Sequence, residues 1–267
     1  MSIGILAGGG NLPQILATNA AKQGREVSVI ALDGFASVDD FQDYNSAQLK
    51  IGQVKKIIQF LQENNVKEVV FAGKVTRLKW SSLYVDSLGS KLLAKIAINK
   101  VLGDDKLLNI IMKFVEEYNF KVISPLDLLG SQDINTKAKP SKNDLEDIKL
   151  GLEVLEAISV FDIGQSVIVE NGYILGIEGA EGTDELILRT QNLKRHDAPS
   201  GVLVKAFKST QNSKLDIPTI GPTTLENAIA AGLKGIAIGR DKVIILEADK
   251  MQDLANQANM FVFKENA

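Results

Sequence analysis

The sequence predicts an α/β protein in two parts, a parallel-sheet N-terminal domain followed by a second, mixed α/β domain. Three observations carry that prediction. Short apolar runs alternate with helical patterns through the first third of the chain, which requires crossover connections and hence parallel strands. Residues 131–143 lack periodicity and are poor in large apolar side chains, as a linker is. Beyond them strand signals are denser, and Asn171-Gly172 between two such runs reads as a two-residue hairpin turn.

Taken in order, Ile3–Leu6 is a buried strand, Leu12–Gln23 a helix, Val27–Leu32 a strand, Val54–Asn64 a helix and Val69–Ala72 a third strand. Consecutive helices follow at Leu88–Val101 and Asp104–Tyr118, then a short strand at Val122–Ile123. The first domain is read as residues 1–130, the linker as 131–143 and the second domain as 144–267. The latter opens with a helix over Asp144–Ile158, capped by Asn143 or Asp144. Its strands are Ser166–Glu170, Tyr173–Glu178, Val202–Phe207, Gly235–Ile238 and Lys242–Leu246, and its helices Thr183–Asn192, Thr223–Ala231 and Lys250–Asn259.

Composition excludes several chemistries. With no cysteine there is no disulfide, thiolate metal site or cysteine nucleophile, and a single histidine, His196, rules out a histidine-rich metal site. A metal here would sit on oxygen ligands, which favours Mg²⁺ or Mn²⁺. A net charge of −3 with scattered Lys and Arg gives no reason to expect nucleic-acid binding. The opening Met1–Ala7 has no basic region before its apolar stretch, and no apolar run nears the roughly 20 residues of a membrane span. A cytoplasmic protein is expected.

Four segments offer chemistry. Gly8-Gly9-Gly10-Asn11-Leu12-Pro13 joins a strand to a helix, where glycines let backbone approach a phosphate and the helix start supplies free N–H groups. The alternative is a tight turn without a ligand. As a dinucleotide fingerprint the segment fails, because Pro13 stands where the third glycine belongs, although Asp33 ends the second strand where a ribose-binding acid would. After the third strand, Lys74, Val75 and Arg77 would neighbour that loop, and the two cations read equally as phosphate clamps or as solvated charges. Glu178, Glu181, Asp184 and Glu185, interleaved with glycine around Thr183, suit a metal- or anion-handling loop, or simply a helix cap. In Asp216-Ile217-Pro218-Thr219-Ile220-Gly221-Pro222 a carboxylate precedes a rigid turn, the framing that a general base or metal ligand needs. His196-Asp197 lacks a serine elbow and reads as a loop pair rather than a catalytic one, and Trp80 and Tyr84 read as core aromatics, with the lining of a lipid or base pocket as the alternative.

Together these segments resemble the LpxI-type UDP-2,3-diacylglucosamine pyrophosphatases of bacterial lipid A synthesis. The resemblance runs from Leu6–Pro13 through Ala72–Val75, Gly103–Asp105, Pro125–Leu129, Phe161–Val167 and Glu181–Asp184 to Asp216–Gly221. It implies a Rossmann-like N-terminal part, a distinct α/β C-terminal part and a lipid substrate held between them. The implied reaction is divalent-metal-assisted hydrolysis of the UDP-sugar diphosphate, giving UMP and diacylglucosamine 1-phosphate. The family's catalytic aspartate falls on Asp216. On that basis Asp216 would hold Mg²⁺ (or Mn²⁺) or orient water, with Asp184 and Glu181 completing an oxygen site. Substrate contacts would come from the Gly8–Pro13 loop, with N–H groups of Gly9, Gly10 and Asn11 on a phosphate or sugar oxygen, and from Lys74, Val75, Arg77, Thr183, Thr219 and Gly221. A homodimer and a transient contact with a membrane surface are further implications. The competing readings are an NAD-dependent oxidoreductase and a nucleotide-sugar binding protein without catalysis.

Overall fold

The computed structural model describes residues 2–75, 84–99, 104–130, 132–195, 199–207, 215, 217–239 and 243–265, with the side chains of 104 and 105 excepted. It forms two compact units, Met1–Gly130 with Asn212–Asp216 and Ser131–Gln211 with Ile217–Ala267.

The first unit contains β1 (Ser2–Ala7), α1 (Leu12–Lys22), β2 (Glu26–Leu32), β3 (Asn45–Leu49), α2 (Val54–Glu63), β4 (Glu68–Ala72), α3 (Ser87–Ile98), α4 (Asp104–Glu116) and β5 (Lys121–Val122). Its sheet runs in the order β3-β2-β1-β4-β5, and every pairing is parallel. β1 is buried over its whole length because both faces are covered. Ile3, Ile5 and Ala7 meet Leu16, Ala17 and Ala20 of α1, whereas Leu6 meets Ile57, Ile58 and Leu61 of α2. Gly4 makes room for that second layer, since a Cβ there would lie 2.5 Å from Leu61 Cδ2. Each fully buried Leu or Ile contributes about 1.5–3 kcal/mol. β3 escapes the periodicity reading because Asn45-Ser46-Ala47-Gln48-Leu49 is a half-exposed edge strand with few apolar residues.

The second unit contains α5 (Lys142–Ile158), β6 (Ser166–Glu170), β7 (Tyr173–Ile177), α6 (Thr183–Thr190), β8 (Val202–Ala206), β9 (Thr219–Ile220), α7 (Pro222–Ala230), β10 (Gly235–Gly239), β11 (Ile244–Ile245), α8 (Ala248–Gln257) and β12 (Phe261–Glu265). The main sheet, ordered β12-β10-β8-β6-β7, is mixed: β8, β10 and β12 are parallel, and β6 runs antiparallel to β8 and β7. Asn171 and Gly172 take φ of 49° and 77°, the left-handed pair that a tight hairpin needs. One face carries α5, whose Gly151 lets the helix approach until a Cβ would be 2.6 Å from Val204. The other face packs Leu186 and Ile187 of α6, Leu225 of α7 and Met251 of α8.

Three details differ from the sequence reading. α5 starts at Lys142 and is capped by Ser141, because Ser141 and Asp144 exchange hydrogen bonds in a capping box. Residues 132–140 belong to the second unit: Asn135 and Lys137 N–H donate to Gln252 and Asn256 side chains at 2.8 and 2.7 Å, and Thr136 is buried. Hydropathy does not register such side-chain-to-backbone bonds. Leu215 lies late in the sequence, yet it packs against the core cluster of the first unit, as Leu49 and Ile51 also do.

Candidate active site

The N-terminal candidate site forms where β1, β2 and β4 end. All three strands are parallel, so the loops leaving them gather on one rim. The loops after β1 and β4 are stitched together by their backbones. Gly8 N–H donates to the Ala72 carbonyl at 2.7 Å, Gly9 N–H to the Lys74 carbonyl at 2.9 Å, and Lys74 N–H to the Gly9 carbonyl at 2.8 Å. Only glycines permit this approach, since a Cβ on Gly8 would stand 2.9 Å from the Lys74 carbonyl oxygen. Gly9 N–H is therefore committed to the neighbouring loop, so the expected donors reduce to those of Gly10 and Asn11, to which the helix start adds Leu12. These lie at the start of α1, where Asn11 makes no side-chain cap and Pro13 occupies the first turn.

Gly8, Gly10, Asn11 and Gln14 wall one side of a pocket of about 300 Å³, and Phe35, Ala36, Asp40 and Phe41 wall the other. Asp40 stands where the sequence reading had placed Asp33, which is exposed and outside the pocket lining. The side chains of Lys74 and Val75 are exposed, so Lys74 acts in the stitch through its backbone. Tyr84 is 63% exposed and is not a core aromatic. Arg77, Trp80, His196, Asp197 and Asp216 lie outside the described residues.

In the second unit, polar groups collect at the carboxyl end of β8. The register sets Ser166 opposite Lys205, on the sheet face that α6 covers. Both are buried, Lys205 to 4% exposure. Lys205 Nζ donates to Thr183 Oγ1 at 2.7 Å and to Ser166 Oγ at 3.2 Å, and lies 3.9 Å from a Glu178 carboxylate oxygen. Thr183 Oγ1 in turn donates a hydrogen bond to Glu178 at 3.2 Å, whose second oxygen accepts from Gln165 N–H at 3.1 Å.

Thr183 is the first residue of α6, and the cap is Gly182. Asp184 follows, accepting at one oxygen from Thr224 Oγ1 at 3.2 Å, in the first turn of α7. Glu181 forms an ion pair with Arg189 at 3.0 Å and accepts from Gly179 N–H at 3.1 Å. Its own N–H, the Gly179 N–H and Arg189 hold its carboxyl below the usual range, outweighing the modest opposing effect of burial. Thr219 donates to the Ile217 carbonyl at 3.1 Å and opens β9, and Gly221 is the extended residue that leads into α7. The structure thus brings Asp184 together with Thr224 at the start of α7, and it adds Lys205, which no sequence motif had marked, and Ser166 and Thr224, which lie in or beside the sequence motifs but are not among the expected site residues.

Among the described residues no cluster of three or more His, Asp or Glu side chains is arranged around a metal position. Of the candidate metal ligands, Asp184 presents a carboxylate oxygen not used by Thr224, and Asp216 lies outside the described residues. Glu181 would first have to give up Arg189. Among the described residues no helix is long and apolar enough to cross a membrane.

A family model described as the LpxI N-terminal domain matches residues 2–132, and one described as the LpxI C-terminal domain matches residues 131–263. The chain belongs to the LpxI family. Among LpxI proteins, the UDP-2,3-diacylglucosamine pyrophosphatase LpxI of Caulobacter vibrioides is 32% identical over 269 residues, covering 97% of this chain and 96% of that protein. Solved structures give much weaker likenesses. Pal from Bacillus thuringiensis is 11% identical with a TM-score of 0.30, over 100% of this chain and 86% of that one. The UDP-N-acetylglucosamine 4-epimerase from Bacillus cereus is 11% identical with a TM-score of 0.34, over 99% and 75%. At those values neither carries an argument for this LpxI-family chain.

Proposed function

We propose that this chain hydrolyses the diphosphate of UDP-2,3-diacylglucosamine, releasing UMP and 2,3-diacylglucosamine 1-phosphate. The observation that carries the reading is the near full-length similarity to the Caulobacter pyrophosphatase, with both family domains matched in order. In this reading the pocket beside α1 takes the uridine monophosphate end of the substrate. Gly10, Asn11 and Leu12 N–H groups hold a phosphate oxygen, Asp40 accepts from ribose hydroxyls, and Lys74 and Arg77 add charge near the diphosphate. Thr183, Thr219 and Gly221 frame the reacting end, and Asp216 orients the attacking water or supplies a metal ligand.

A divalent cation, Mg²⁺ or Mn²⁺, held by Asp216 and Asp184 with Glu181 on exchange from Arg189, would neutralise charge on the diphosphate. The same proposal places the protein in the cytoplasm, meeting its lipid substrate by transient contact with a membrane surface, and pairs it as a homodimer. Purified protein given UDP-2,3-diacylglucosamine is expected to release UMP, and EDTA is expected to stop the release. Bound substrate without release would make the chain a nucleotide-sugar binding protein. Nicotinamide-cofactor binding in a fluorescence titration, with no UMP released, would favour the oxidoreductase. Release unaffected by EDTA would remove the metal from the mechanism.

A further inference from the structure

The far wall of the pocket beside α1 comes from neither a strand nor an α-helix. Phe35, Ala36, Asp40 and Phe41 all lie in the connection between β2 and β3, and the last two belong to a short 3₁₀ turn, Val38–Phe41. So short a turn leaves its first N–H groups without partners of its own. Groups outside it must satisfy them and fix where the turn stands.

Gln48 does most of this. It is the penultimate residue of β3, and the register sets it against Ala31 near the end of β2. Its Oε1 accepts from Val38 N–H at 2.8 Å, while Nε2 donates to the Ala36 carbonyl at 2.9 Å and to the Ala31 carbonyl at 3.2 Å. Ser37 Oγ takes the next N–H of the turn, that of Asp39, at 3.2 Å. One amide thus ties the sheet, through Ala31, to a pocket residue, Ala36, and to the start of the turn that carries Asp40 and Phe41. The wall stands close to the glycine loop, since a Cβ on Gly9 would lie 3.2 Å from the Phe35 carbonyl oxygen. A small shift of the wall therefore changes the pocket. Gln48 itself is exposed, so its bonds compete with water and add little net stability. What they set is position.

From this we infer that Gln48 is a positioning residue for the nucleotide end of the substrate, holding Asp40 where it meets the ribose. The inference rests on the reading that this pocket takes uridine monophosphate with Asp40 on the ribose hydroxyls. The test is calorimetric titration of UMP into the full chain as wild type, Gln48→Met, Asp40→Ala, the double variant and Ser37→Ala, with thermal melting of each. Methionine keeps the length of the side chain and removes all three bonds. Gln48→Met is expected to bind UMP about tenfold more weakly, and to melt within about 4 °C of wild type. With UDP-2,3-diacylglucosamine its KM should rise about tenfold at a kcat within about threefold, because the interaction lost is one that ground and transition states share. In the Asp40→Ala background the same substitution should cost no more than about threefold, since Gln48 acts through Asp40. Ser37→Ala should weaken UMP binding about threefold.

Wild-type UMP affinity in a folded Gln48→Met protein would overturn the inference. So would a full tenfold loss in the Asp40→Ala background, or a loss confined to kcat. If Gln48→Met does not fold, Ser37→Ala decides, and unchanged UMP affinity in that variant overturns the account of the wall. Wild-type protein that binds no UMP, or Asp40→Ala that binds it as wild type does, would instead fail the placing of the nucleotide in this pocket, and the inference with it.

Discussion

Alanine at Gly73 and at Gly10, introduced one at a time, measures how tightly the two N-terminal loops are locked. Both glycines have φ of 90°, so either alanine suffers backbone strain of about 1–2 kcal/mol. Their surroundings differ. A Cβ at Gly10 meets nothing within 4 Å, whereas one at Gly73 would stand 2.7 Å from the Gly8 carbonyl carbon and oxygen and from the Gly9 carbonyl oxygen. Those atoms are backbone tied by the bonds between the loops, and they cannot rotate away as a side chain would. Overpacking of that kind costs about 1–3 kcal/mol. The strain being common to both variants, Gly73→Ala should be about 1–3 kcal/mol less stable than Gly10→Ala in urea unfolding. Calorimetric titration with UMP should also show weaker binding to Gly73→Ala, since the displaced loop walls the pocket. Equal stability of the two variants, with the UMP affinity of Gly73→Ala at the wild-type value, would refute the account of the stitched loops.

Acid should weaken each unit through one identifiable carboxylate. The Lys121 hydrogen bond, opposed by burial and aided by Arg25 at 2.6 Å, holds Glu68 below the usual carboxylate range. Because the folded value is depressed, its contribution is complete above the ordinary glutamate value and fades as pH falls through the lowered one. Glu68→Gln should cost about 1–3 kcal/mol near neutral pH and flatten the acid limb of a melting-temperature profile; an unchanged limb would count against it. In the second unit burial raises the Asp144 pKa, but hydrogen bonds from Lys234 at 2.6 Å and from Ser141 overcome it, leaving that carboxyl depressed too. Asp144→Asn should loosen the start of α5, seen as faster amide exchange there, with the same loss in wild type only on acidification. Asp40→Ala should weaken UMP binding about tenfold if the carboxylate accepts from the ribose, and not at all if the pocket holds no nucleotide.

The parts of the fold set by apolar periodicity were legible from the sequence. β1, α1, β2, α2 and β4 fall within a residue or two of their expected ranges, because alternation between buried strands and amphipathic helices is a local signal. Polar packing was not legible. The edge strand β3, the docked residues 132–140 and the return of Leu215 to the first unit all depend on partners distant in sequence. The site divides in the same way. Glycines beside a helix start marked the candidate phosphate loop, yet which N–H groups remain for a ligand depends on a second loop some sixty residues later. Lys205 carries no local motif. It becomes notable only when the register sets it against Ser166 and α6 brings Thr183 onto it.

The central claim is that Asp216 drives hydrolysis of the diphosphate. Its most direct test is the rate of UMP release from UDP-2,3-diacylglucosamine by Asp216→Ala beside wild type, each first shown to be folded by melting. A loss of about 10²–10⁴-fold in kcat, with substrate still bound, is the predicted result. Near-normal release by the folded variant would contradict the account, and another residue would have to be sought for the role.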